Sequence, residues 1–268
     1  MAAAILLRRR GFAVNIVELD PEWRVYGAGI SITGPTYRAF QWLGILDEVC
    51  ALGFGSTGAI RIHNTAGQHL ADVPTHSISP GLPSGGGIMR PVLHQLLRDR
   101  TGTEGVSVRL GITAEGFNDQ ADSVNAPITD GTATAYQAVI GADGAFSAVR
   151  AMLFPDAPEP RYTGQYCWRV NAARPPEVTQ PYFFMAGQVT AGLMPVSPAK
   201  MYMWLLQPAV TKTRVAQTIF RGPCRRSWPR SAACWRRCGT GSTPIPSSPC
   251  VRAMPSCCPG PGIAAASC

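Results

Sequence analysis

Nowhere in its 268 residues does the chain carry a run approaching the roughly 20 consecutive apolar residues that a membrane-crossing helix needs, so no membrane partner is expected. Histidine is scarce. The four present, His63, His69, His76 and His94, are scattered without ligand spacing and read as surface or strand residues, so no metal site is expected. No Ser/His/Asp arrangement and no carboxylate pair stands out either, which removes the common hydrolytic chemistries. At the N-terminus, Arg8-Arg9-Arg10 follows the apolar Ala2–Leu7 instead of preceding it, the reverse of a secretory signal, and a cytoplasmic protein is expected.

The sharpest deficit is local. From Arg221 to Cys268 there is no Asp, Glu, Lys, Asn, Gln, Leu, Phe, Tyr or His, while that segment holds seven Arg, eight Pro and seven of the nine Cys. Such a composition cannot build a core, and the tail is expected to be disordered. The net charge of +8 belongs almost wholly to it, because the remaining body carries 17 basic against 16 acidic residues. Cys234 and Cys238 lack a second pair, so zinc is not expected, and seven Arg attract polyanions without specificity, so no specific nucleic-acid partner is expected. Arg-, Pro-, Ser- and Cys-rich sequence is what GC-rich DNA yields out of frame. The reading is a one-base frameshift between Pro208 and Gly222.

The body is patterned differently. Ala2–Arg10 is a helix closed by Gly11, followed by a β-branched strand, Phe12–Glu18, with acidic Glu18 at its end, the second half of a βαβ unit. Pro35 opens a helix through Trp42, and a second short helix ends near Gly53. Alternation on either side of Asn64-Thr65-Ala66-Gly67 predicts a hairpin over 59–73, Ser77–Gly87 reads as loop, and Pro91 opens a helix with Leu93, Leu96 and Leu97 on one stripe. Val106–Leu110 is the next strand. Ala138–Ala142 reads as a buried strand running into Asp143-Gly144, with a helix over Ser147–Leu153. From Tyr162 to Leu206, aromatic and β-branched stretches broken by prolines suggest an antiparallel sheet. There Trp168 and Arg169 read as core packing and a salt bridge, with cation or aromatic contact to a substrate as the alternative.

Chemistry enters through three segments. A carboxylate at a strand end after a helix can accept hydrogen bonds from a ribose, which is where Glu18 stands. Arg90 is a cation just before a helix, after the Gly-rich Gly85-Gly86-Gly87 that permits close approach. Gly141-Ala142-Asp143-Gly144-Ala145-Phe146-Ser147-Ala148-Val149-Arg150 puts a carboxylate between glycines at a strand's carboxyl end, or alternatively a helix-capping Asp. With Tyr26-Gly27-Ala28-Gly29-Ile30 and Ile88-Met89-Arg90-Pro91, these segments resemble the FAD-dependent monooxygenases of the para-hydroxybenzoate hydroxylase type, across roughly residues 2–207.

That resemblance implies an α/β fold: an incomplete, doubly wound FAD-binding sheet at 1–58 and 74–155, a mostly antiparallel substrate sheet at 59–73 and 156–220, and the anomalous tail at 221–268. It implies FAD as cofactor, NADH or NADPH as reductant, and Glu18, Arg90, Asp143 and Gly144 as cofactor contacts. Oxygen activated on the flavin enters a small aromatic substrate, and no side chain is expected to be a catalytic residue because the chemistry belongs to the cofactor. The chain departs from the family in lacking Gly-x-Gly-x-x-Gly and the later Gly-Asp motif, and in having Leu19 after Glu18. It therefore reads as a fragment, with a non-catalytic remnant as the second reading and a polyanion-binding module through the tail as the third.

Overall fold

The computed structural model describes residues 1–56 and 58–211, and the tail at 221–268, with residues 212–220 of the expected second sheet, lies outside them. In chain order the elements are α1 (Ala2–Arg9), β1 (Asn15–Glu18), β2 (Gly29–Thr33), α2 (Gly34–Leu43), α3 (Leu46–Leu52) and β3 (Phe54–Ser56). Next come β4 (Ala59–Asn64), β5 (His69–Pro74), β6 (Gly85–Met89), α4 (Arg90–Thr103) and β7 (Ser107–Leu110). The remainder are β8 (Asn118–Asp119), β9 (Val124–Pro127), β10 (Ala133–Tyr136), α5 (Ala148–Leu153), β11 (Gln165–Ala173), β12 (Tyr182–Ala186), β13 (Val189–Pro195) and β14 (Lys200–Pro208). They fall into two compact units, Met1–Arg24 with Arg98–Tyr162, and Val25–Leu97 with the described residues from Thr163 onward.

In the first unit, β1 and β7 form a two-stranded parallel sheet with Asn15 opposite Ser107 and Glu18 opposite Leu110. Helix α1 buries Ala4 and Ile5, ends before Gly11 at φ +86°, and is tied to Glu104 through a 2.6 Å Arg9 ion pair and an Arg8 Nε bond to the Glu104 carbonyl. Strands β8, β9 and β10 form a small antiparallel sheet that buries Ala126, with Ile128 just beyond β9. The expected strand at Ala138–Ala142 does not form. Its backbone is irregular and Val139 and Ile140 are 39% and 61% exposed, because no described strand lies alongside to accept its ladder. An apolar run specifies a wish for burial; a neighbour has to satisfy it.

The second unit holds the larger core. Strands β2, β6 and β3 pair antiparallel, and α2 lays Tyr37, Phe40 and Leu43 into the interior. Burial pushes the Tyr37 phenol up to about 12. The Gly85–Gly87 stretch, expected as loop, is instead the central strand β6. Its glycines are there for close approach, since a Cβ on Gly86 would lie 2.2 Å from the Phe54 carbonyl and one on Gly87 2.4 Å from that of Pro195.

The six-stranded sheet runs β11-β14-β13-β12-β4-β5, antiparallel except where β12 meets β4. The β4–β5 hairpin forms around Asn64–Gly67, but Leu70 and Val73 stay exposed because β5 is an edge. One sheet face carries the main core: Phe184, Ala191, Leu193, Met201, Met203 and Leu205, with Trp168 and Val170 packed on it. Tyr182 and Phe184 share that face, so by alternation Phe183, between them, points to the other.

Candidate functional site

That other face is the one with chemical potential. Register sets Ile62, Phe183, Gly192, Trp204 and Arg169 directly opposite one another across five strands, and Met194, Tyr202 and Asn171 in a second row. Phe183 meets the Trp204 indole edge-on at 5.1 Å between centroids. Gly192 is glycine because a Cβ would stand 2.3 Å from Trp204 Cε2, so the indole lies directly on bare backbone. At the next row Ala28, Met194, Val196 and Tyr202 form a buried cluster with Met89 and Trp204 against it, and the Tyr202 hydroxyl shares a 2.8 Å hydrogen bond with Ser31 Oγ.

This cluster places the junction where β6 runs directly into α4. Arg90 directly follows Met89, its backbone N–H is 3.4 Å from the Ala28 carbonyl, and its Nε is buried without a hydrogen-bond partner among the described residues. Beside it, Gly27 sits at φ +126°, a conformation closed to most side chains, and its missing Cβ would touch Arg90 Cδ at 3.4 Å. A guanidinium with a spare buried donor, next to backbone stripped of side chains, is a place where a polar ligand can be approached closely.

The other expected residues stand in the first unit. Glu18 ends β1, half-buried, and its Oε1 accepts the Asp20 backbone N–H at 2.9 Å, which fixes the carboxylate over the turn that follows. Asp143 is exposed and caps the entry to α5: Oδ2 accepts the Val149 N–H at 3.0 Å and Oδ1 accepts the Ser147 hydroxyl, which in turn accepts the Arg150 N–H at 2.9 Å. Partial burial pushes the Asp143 carboxyl up, but the Ser147 hydroxyl and the backbone amides outweigh it and hold the group below the usual carboxylate range. Gly144 follows at φ +86°, and Gly141 packs against Val149, where a Cβ would come within 2.8 Å.

Arg169 corrects the sequence expectation. Trp168 does pack into the core, but Arg169 makes no salt bridge among the described residues. The signal that would have separated the two was strand alternation: neighbours on a strand cannot share a face. Tyr202 with its Ser31 partner was hidden, because only tertiary pairing brings residues 171 positions apart together. Among the described residues no cluster of three His, Cys, Asp or Glu could hold a metal ion, and no helix is long and apolar enough to cross a membrane.

The chain is similar to curated proteins and to solved structures. The aurachin C monooxygenase/isomerase of Stigmatella aurantiaca is 34% identical over 174 residues, covering 63% of this chain and 43% of the relative. The 2-heptyl-3-hydroxy-4(1H)-quinolone synthase of Pseudomonas aeruginosa is 27% identical over 209 residues, covering 76% and 52%. Among solved structures, HpxO of Klebsiella pneumoniae, complexed with FAD and uric acid, has the same fold at a TM-score of 0.73 and 22% identity, over 86% of this chain and 59% of that one. The chain spans about half the length of the curated relatives it matches. The pairing of Arg90, with its orphaned Nε, and the bare backbone of Gly27 fits a flavin nucleotide, which offers several acceptors and a flat ring system. Residues 1–236 match the model of the FAD binding domain family, and the chain belongs to that family.

Proposed function

We propose that this chain is part of an FAD-dependent monooxygenase that hydroxylates a small, flat aromatic molecule using NADH or NADPH and O2. The observation that carries the reading is Arg90, whose buried Nε lacks a partner among the described residues beside Gly27, while the neighbouring Met89 and Ala28 pack against the Tyr202–Trp204 face. A cation held by an acceptor-rich cofactor and an aromatic wall next to it are what ring hydroxylation asks of a protein. The names of the relatives agree in class, with a quinolone synthase and a urate hydroxylase among them.

When bound, the flavin supplies electron transfer from the nicotinamide nucleotide and activation of oxygen. The chain supplies position. In the second unit Arg90 would donate from its spare Nε to the cofactor and Gly27 would leave backbone open to it; in the first unit Glu18 would accept from ribose hydroxyls and Gly144 would leave backbone open. Asp143, braced by Ser147 and the α5 amides, fixes the turn that carries Gly144. Trp204 and Phe183 hold the substrate ring by face and edge and exclude water from it. The Ser31–Tyr202 hydrogen bond ties β2 to β14 beside that wall.

The test is FAD titration of the purified chain, followed by flavin absorbance and fluorescence quenching, with Arg90→Gln alongside. The wild-type chain takes up FAD, and the variant binds about tenfold more weakly, the size of one charge-assisted hydrogen bond. A folded wild-type chain that takes up no FAD would refute the reading.

A further inference from the structure

Five arginines lie in the second unit among the described residues, and three are engaged. Arg61 donates to the Tyr182 hydroxyl at 3.1 Å and lies near Asp72, Arg174 donates to the carbonyls of Pro198 and Val178, and Arg38 stacks over Trp42. Arg90 is accounted for above. Arg169 is the remaining one, half-buried at the middle of the nine-residue β11, with no side-chain hydrogen bond, ion pair or ring contact among the described residues. A guanidinium carries five donors in a rigid fork and is neutralised by nothing nearby.

Its neighbours say what it faces. Arg169 stands directly opposite Trp204, on the same face, in the row that continues through Gly192 to Phe183. The row therefore offers a flat apolar wall at its centre, laid close to the backbone by Gly192, and a single unneutralised cation at one end. The row runs on at its opposite end through Ile62 to Ala71 on the edge strand β5, both apolar. An aromatic wall with charge at one end only gives a ligand an orientation as well as an affinity.

We infer that Arg169 is a specificity-determining residue that selects planar aromatic substrates bearing a carboxylate, which it receives through its guanidinium fork while the ring lies against Trp204 and Phe183. The inference rests on the monooxygenase reading for the word substrate, but the recognition itself does not require the flavin. In a half-buried setting the fork meets two carboxylate oxygens at once, whereas a neutral amide offers only one acceptor and no charge.

The experiment is equilibrium binding of matched pairs, benzoate against benzamide and naphthoate against naphthamide, read by tryptophan fluorescence on the full chain. Wild type, Arg169→Gln and Arg169→Lys are compared after circular dichroism has shown each to be folded. Wild type prefers each acid over its amide by about tenfold or more; Arg169→Gln loses that preference while amide affinity stays within about twofold, and Arg169→Lys falls between. Equal binding of acid and amide by wild type, absence of binding by either, or an acid preference that survives in Arg169→Gln overturns the inference. FAD uptake measured on the same samples separates the two readings. Acid selection through Arg169 without FAD uptake refutes only the monooxygenase, and FAD uptake without acid selection refutes only the role of Arg169.

Discussion

Gly192→Ala is the perturbation whose consequence the geometry fixes most tightly. Gly192 has no positive φ, so alanine meets no backbone penalty there, and by shrinking the unfolded ensemble the change alone would stabilise by about 0.4–1 kcal/mol. Against this stands the added Cβ, which would lie 2.3, 2.4 and 2.5 Å from Cε2, Nε1 and Cζ2 of Trp204. These atoms belong to a rigid ring, so the whole indole must retreat by about 1.2 Å to reach ordinary contact. Phe183, edge-on at 5.1 Å, limits where it can go. Overpacking of this kind costs about 1–3 kcal/mol, so the clash wins and a net loss of about 1–2 kcal/mol is expected. The assay is urea unfolding by far-ultraviolet circular dichroism. At a slope of about 2 kcal/mol per molar, the midpoint falls by about 0.5–1 M. The Gly192→Ala/Trp204→Leu double variant should lose less than the sum of its singles, because the second change removes the obstructing ring. A Gly192→Ala chain with an unshifted midpoint and unshifted tryptophan emission would show that the indole does not lie on that strand, and with it the aromatic wall would go.

Two further outcomes test the first unit. Ser147→Ala removes the hydroxyl that accepts the Arg150 N–H and supports Asp143, and should cost about 1 kcal/mol in the same unfolding assay; no loss would mean that α5 is not capped in this way. Asp130 is held down to about 2 by the Thr132 hydroxyl and backbone N–H and by Arg109, against an ordinary 3.8. Because the folded value is the lower one, its contribution is present above pH 3.8 and is lost as pH falls through about 2. Asp130→Asn should therefore show a smaller decline in urea midpoint between pH 4 and pH 2 than wild type, and equal declines would refute the assignment.

What could be read from the sequence was what depends on local chemistry. Gly11 after a helix, Pro35 inside the first turn of α2, and the Asn64–Gly67 turn each carry their conformational preference in the residue itself, and all three elements form. Arg90 before α4 and the Asp143-Gly144 turn were legible for the same reason, since a motif is a short stretch with fixed backbone demands. Ala138–Ala142 and Gly85–Gly87 were misread in opposite directions. The first had strand composition without a neighbouring strand, and the second had loop composition that the backbones of Phe54 and Pro195 turned into a strand by leaving no room for side chains.

By itself the sequence determined the family, and it set the alternation that sends Trp168 and Arg169 to opposite faces. Tertiary structure decided what those faces are. Cross-strand register placed Arg169 beside Trp204 and laid the indole on Gly192, and packing between two sheets joined Ser31 to Tyr202. Pairing between strands far apart in the chain depends on which backbones find each other, and no single segment carries that information.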